Sequence, residues 1–67
     1  MKLGDAIRAT RLRQKLSQEA LADAAGINRT HMGEVERGKR NVSFLALVRI
    51  AKAMDVDVSE MASLAGL

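Results

Sequence analysis

Cysteine is absent from the 67 residues, so neither a disulfide nor a thiolate metal site can brace the fold. One histidine, His31, is too few to build a zinc site. Proline and tryptophan are missing as well, β-branched residues are sparse, and alanine and leucine are abundant. That balance favours helices. No stretch approaches the roughly 20 apolar residues of a membrane span. The opening Met1-Lys2-Leu3-Gly4-Asp5-Ala6 holds no continuous apolar run and no cleavage site, so a cytoplasmic protein is expected. No nucleophile–base pair, metal cluster or phosphate-cradling glycine loop is evident, and a chain this short has little room for a pocket. An enzyme is therefore not expected, nor are a cofactor, a metal, a membrane or a small-molecule ligand. A domain of this size buries only about 60% of its unfolded surface. Its stability has to come from helix packing within one domain, residues 1–67, or from a second copy of the chain.

Charge is present and unevenly distributed. The net charge is +3, but residues 1–54 hold all 11 basic side chains against five acidic ones, whereas residues 55–67 hold Asp55, Asp57 and Glu60 with no base. A basic body with an acidic end points to a polyanion as partner of the body, or to an ordinary solvated surface.

The pattern is clearest from Ser17 to Arg40. Leu21 and Ala25 lie four apart and Met32 and Val35 three apart, each pair marking the buried side of a short helix. Between them Gly26 can take the left-handed conformation that ends a helix. Ile27 plugs the angle, and Ala22 is small enough for two helices to cross closely. Helix, glycine turn and helix form a helix-turn-helix. Ser17 caps the first of the pair, and Glu19 suits its positive end. Asn28 caps the second, which spans about Arg29–Arg37 and stops at Gly38.

The flanking chain supports this unit. A preceding helix spans about Lys2–Gln14, with Leu3, Ile7 and Leu12 as an incomplete apolar stripe and Thr10 where a larger residue would pack better. Arg11 falls on the side of Ile7, so it points inward and needs an acidic partner. Ser43 caps a fourth helix, Phe44 to about Met54, whose core stripe reads Phe44, Leu47, Val48, Ala51 and Met54. Ser59 is expected to cap a short fifth helix carrying Met61, Leu64 and Ala65. The predicted fold is five helices in one all-α domain. Leu45, Ile50 and Ala53 leave more apolar surface than a monomer requires.

With Met32 and Val35 inward, Arg29, Thr30, Gly33 and Glu34 share the outward face of the third helix. Glycine inside a helix costs about 1 kcal/mol relative to alanine. Gly33 therefore either admits another surface closely or relieves a clash with the fourth helix. Arg29 opposes the helix dipole, a position that makes sense if its fork meets guanine O6 and N7 in the major groove of double-stranded DNA. Thr30 can offer a hydroxyl or lay its methyl on thymine. Glu34 either accepts from cytosine N4 or is an exposed helix former. Phosphates suit Gln18 at a helix start, Asn28, and the basic run Arg37, Lys39 and Arg40. His31 is a rim residue rather than a ligand.

Ser17-Gln18-Glu19-Ala20-Leu21-Ala22, Gly26-Ile27 and Val35-Glu36-Arg37-Gly38-Lys39-Arg40 together resemble the helix-turn-helix domain of phage repressor, Cro and Xre-type regulators, over essentially the whole chain. The resemblance implies a five-helix lambda-repressor-like fold with its third helix in the major groove. It places Gln18 and Arg29 through Glu34 at DNA-reading positions, and it pairs Arg11 with Glu36 in a structural ion pair. Asn28-Arg29-Thr30 and Glu36 through Ser43 are further similar to small restriction–modification controller proteins, which are free-standing dimers. In those, Arg29, Thr30 and Arg40 match DNA-contacting positions, while His31 departs from a frequent aromatic. Lys15 and Asp55 replace the family's usual glycine or asparagine, which implies positive φ at both. The expected assembly is a homodimer through Leu45, Ile50, Val58, Met61, Leu64 and Leu67. A protein-binding, antitoxin-like module on the same fold is the alternative.

Overall fold

The computed structural model describes residues 2–66, which form five helices: α1 (Leu3–Arg13), α2 (Gln18–Ala25), α3 (Arg29–Glu36), α4 (Phe44–Ala53) and α5 (Val58–Leu64). Three of the four predicted caps are in place. Ser17 Oγ accepts from the Ala20 amide at 2.9 Å, Ser43 Oγ from Ala46 at 3.1 Å, and Asn28 Oδ1 from Thr30 and His31 at 2.8 and 3.3 Å. Each satisfies an amide that the first helical turn leaves without an internal partner. The fourth differs. α5 starts after Asp57, not Ser59, and the Asp57 amide donates to Glu60 Oε1 at 3.4 Å. Asp57 has a glutamate three residues on and Ser59 does not, so only Asp57 can build this reciprocal cap.

The stops also follow the sequence. Gly26 closes α2 at φ 68°, with the Ile27 amide on Ala22 O at 2.9 Å. Lys15 and Asp55 do hold positive φ, 58° and 56°, and the residue after each donates back to the preceding helix (Leu16 to Arg11 O, Val56 to Ala51 O). They make the same kind of helix stop as glycine, at some steric cost.

α2 packs against α3 and α4, α1 against α3 and α5, and α4 against α5. Ile7, Leu21, Met32, Ile50, Met54 and Met61 are the fully buried large side chains of the shared core, and Ala22 and Ala25 are small enough to be buried within α2. Among the described residues, no helix is long and apolar enough to cross a membrane.

Four expectations about apolar residues need correction. Phe44 is 74% exposed and not in the core. It begins α4, and helical side chains lean toward the N-terminus, so at the first position the lean carries the ring past the end of the packed body. Leu12 is exposed because the inward face of α1 runs through Ala6, Ile7, Thr10 and Arg11, and residue 12 is turned out of it. Ile50 and Met61 have no exposed surface at all, so they are core residues and not dimer contacts. α4 is covered from two sides, by α2 and α5, which buries a face wider than one stripe and takes in Ile50. Met61 is the one buried residue of a seven-residue helix. Leu67 lies outside the described residues.

Thr10 is buried and resolves its own polarity, donating to Ala6 O at 2.9 Å. Gly4 was given no role by the pattern, and it has one. A Cβ there would run into Val35 O and stand 2.8 Å from Glu36 O, so α1 crosses the last turn of α3 backbone to backbone. Gly4→Ala gains about 1 kcal/mol of helix propensity but forces the two helices apart, an overpacking loss of about 1–3 kcal/mol. A net loss of stability is expected in urea unfolding, and unchanged or raised stability would refute this account of the crossing.

Candidate nucleic-acid interface

α3 has two sides of different chemistry. Met32 and Val35 are buried, while Arg29 and Thr30 are exposed and Glu34 is half-buried on the other side. Gly33 is buried although it belongs to the outward set, because two long side chains lie across it. A Cβ there would stand 3.1 Å from Arg37 Nη1 and 3.3 Å from Gln18 Oε1. The close surfaces are therefore the side chains of Gln18 and Arg37; of the two readings of this glycine, relief of a clash with the fourth helix is not the one the structure has. Gln18, Arg29, Thr30, Gly33 and Arg37 line one shallow cleft of about 280 Å³. Five of the predicted site residues thus meet in one place.

Beneath the cleft is a buried polar junction. Arg11 Nε and Nη2 donate to Glu36 Oε2 and Oε1 at 2.8 and 2.9 Å, a two-point pairing, and Arg11 Nη1 donates to Leu16 O at 2.9 Å. Glu36 is only 5% exposed, and its Oε1 also accepts from Gln18 Nε2 at 3.3 Å. That last bond turns the Gln18 amide so that its oxygen lies over Gly33. Among the described residues, no buried side-chain nitrogen or oxygen lacks a partner.

The remaining candidates are distributed around the cleft. The Asn28 oxygen is engaged in capping α3, which leaves its amide nitrogen for any outside contact. Arg29 Nη1 sits 3.7 Å from Glu19 Oε2 in an exposed pair that spans the turn. Arg40 Nε sits 3.6 Å from Glu34 Oε1. Lys39 and Arg37 are exposed, and His31 is half-buried at the edge. Away from this face, Leu45 and Leu64 are exposed and Val58 is half-buried, so three of the six proposed dimer residues present surface.

Sequence reasoning missed three of these contacts: Gln18 with Glu36, Glu19 with Arg29 and Glu34 with Arg40. Each joins residues separated by a turn, and the three- and four-residue spacing rule pairs side chains only within one helix.

The profile of a family described as helix-turn-helix, HTH_3, matches residues 7–61. The chain belongs to that family. Among its helix-turn-helix relatives, control protein C.SmaI of Serratia marcescens is 40% identical over 65 residues, covering 97% of this chain and 77% of that protein. The crystal structure of the restriction–modification controller protein C.AhdI from Aeromonas hydrophila superposes with a TM-score of 0.86 at 41% identity, over 88% of this chain and 89% of that one. SinR, a master regulator for biofilm formation crystallised in complex with DNA, superposes with a TM-score of 0.83 at 27% identity, over 88% and 95% of the two chains. The five-helix repressor-like fold and the Xre-type assignment stand on these matches.

The junction is open to a direct test. Glu36→Ala leaves the Arg11 charge buried without its counter-charge, a loss of about 3–5 kcal/mol, against roughly 3–10 kcal/mol of total stability for a domain of this length. Replacing both partners at once, Arg11→Met with Glu36→Leu, is expected to recover much of that loss in urea unfolding. A double variant as unstable as Glu36→Ala would contradict the burial argument.

Proposed function

We propose that this chain is a sequence-specific transcriptional regulator that binds double-stranded DNA as a homodimer on a pseudo-palindromic site. The observation that carries this reading is the outward face of α3, where Arg29, Thr30 and Glu34 stand clear of the core beside the basic Lys39–Arg40 segment. In this reading α3 lies in the major groove, with the Arg29 fork on guanine O6 and N7 and the Thr30 methyl available to thymine. Gln18, Arg37, Lys39, Arg40 and the Asn28 amide nitrogen hold phosphates on either side, fixing register rather than sequence. Two copies related by a two-fold axis set their α3 helices about 34 Å apart, in successive grooves. With Ile50 and Met61 assigned to the core, Leu45, Val58 and Leu64 remain as dimer residues, together with Leu67, which lies outside the described residues.

The similarity to C.SmaI and C.AhdI supports the controller-type form of this reading, and the DNA-bound SinR supports duplex DNA as the partner.

A salt titration tests the partner. A dimer that neutralises on the order of 6–10 phosphates loses roughly 10³–10⁵ in affinity between about 50 and 200 mM salt. A shallow dependence, together with a stable complex with another protein, would instead establish the protein-binding alternative. On a duplex selected by the wild-type protein, Arg29→Ala is expected to cost about 1–3 kcal/mol and to relax one base position. Unchanged affinity and base preference would show that α3 is docked wrongly.

A further inference from the structure

Glu34 has the wrong charge for its place. It shares the outward face of α3 with Thr30, four residues away, on the side that meets a polyanion if the DNA-binding reading holds. An isolated carboxylate there repels phosphate. The structure supplies a neutralising group from an unexpected direction. After α3 the chain reverses at Gly38, φ 73°, and is locked by two backbone bonds, Gly38 N to Val35 O at 3.1 Å and Lys39 N to Glu34 O at 2.9 Å. This turn brings Arg40 back alongside the helix it has just left. Its Nε then stands 3.6 Å from Glu34 Oε1, with the arginine side chain 53% exposed and the glutamate 33%.

The atom used matters. Nε is the arginine nitrogen nearest the carboxylate, in an ion pair longer than a hydrogen bond, so the two terminal nitrogens remain available as a fork, the geometry that recognises two acceptors at once. We infer that Glu34 is a positioning residue for specificity: its carboxylate holds Arg40 against α3, so that the fork reads a base edge next to the one read by Arg29 and is kept from the nearest phosphate. This rests on the DNA-binding reading above and changes one assignment within it, moving Arg40 from phosphate contact to base contact. It also gives Glu34 a role other than accepting from cytosine N4: its Oε1 faces Arg40.

The test is a base-preference profile, measured by binding to a library in which each position of a selected site is varied in turn, together with the salt dependence of binding to mixed-sequence duplex. Wild type, Glu34→Gln, Arg40→Ala and the double variant are compared. Arg40 is exposed and Glu34 half-buried, and urea unfolding checks that each of the four chains is folded. If Glu34 acts through Arg40, Glu34→Gln and Arg40→Ala flatten the same base position, where a two-point arginine contact gives about tenfold discrimination or more, and the double variant is no flatter than Arg40→Ala. Released from its tether, Arg40 in Glu34→Gln turns to phosphate, steepening the log–log salt slope by about 0.9. The inference is overturned if Glu34→Gln leaves the profile unchanged. It is equally overturned if the variant flattens a different position that persists on the Arg40→Ala background, which is the behaviour of a direct cytosine contact. A wild-type chain with no base preference overturns the DNA reading and this inference with it, a result distinct from either of the others.

Discussion

The Arg11–Glu36 pair is the constraint around which the domain is arranged. One guanidinium reaches the end of α3 through two hydrogen bonds and the α1–α2 connection through a third, and the same carboxylate takes the side chain that opens α2. Three helices and a connection are thereby referred to one buried point. α3 needs such a reference. It is eight residues long and contributes only Met32 and Val35 as buried apolar side chains, too little hydrophobic area to define its angle by packing. The pair adds direction where apolar contacts add mainly cohesion. Removing both charges is therefore a smaller loss to stability than removing one, yet it leaves α3 less well aimed.

Gly4 and Gly33 extend the same logic to the backbone. At Gly4, α1 approaches the last turn of α3 closely enough that a single added carbon collides with carbonyl oxygens, and the approach is what brings Arg11 within reach of Glu36. At Gly33 the missing side chain makes room for Gln18 and Arg37, which lie over the helix and close the floor of the cleft. In both places a residue that weakens an isolated helix serves the arrangement of helices.

Local chemistry was legible from the chain alone. The caps at Ser17, Asn28 and Ser43, the Gly26 stop, the inward Arg11 and the buried faces of α2 and α3 all depend on residues within four positions of one another, and the structure has them as read. Errors arose where tertiary geometry decides. Phe44 fits the stripe of α4 by spacing, but it stands where the helix outruns its neighbours. Ile50 and Met61 read as surplus surface because the sequence does not show that α4 is covered on two sides or that α5 has a single inward position. Ser59 and Asp57 are both capping residues, and the choice between them lay in the glutamate three positions after Asp57. The ion pairs of Glu19 and Glu34 cross turns, beyond the range of helical periodicity.

The central claim is that two copies of this domain present α3 to successive major grooves of one duplex. Selection of tight binders from a random-sequence duplex pool at near-physiological salt measures this most directly. The account predicts an enriched inverted repeat whose half-site centres lie about one helical turn, 10–10.5 base pairs, apart. Enrichment of an unpaired half-site, or of no sequence at all, would contradict it.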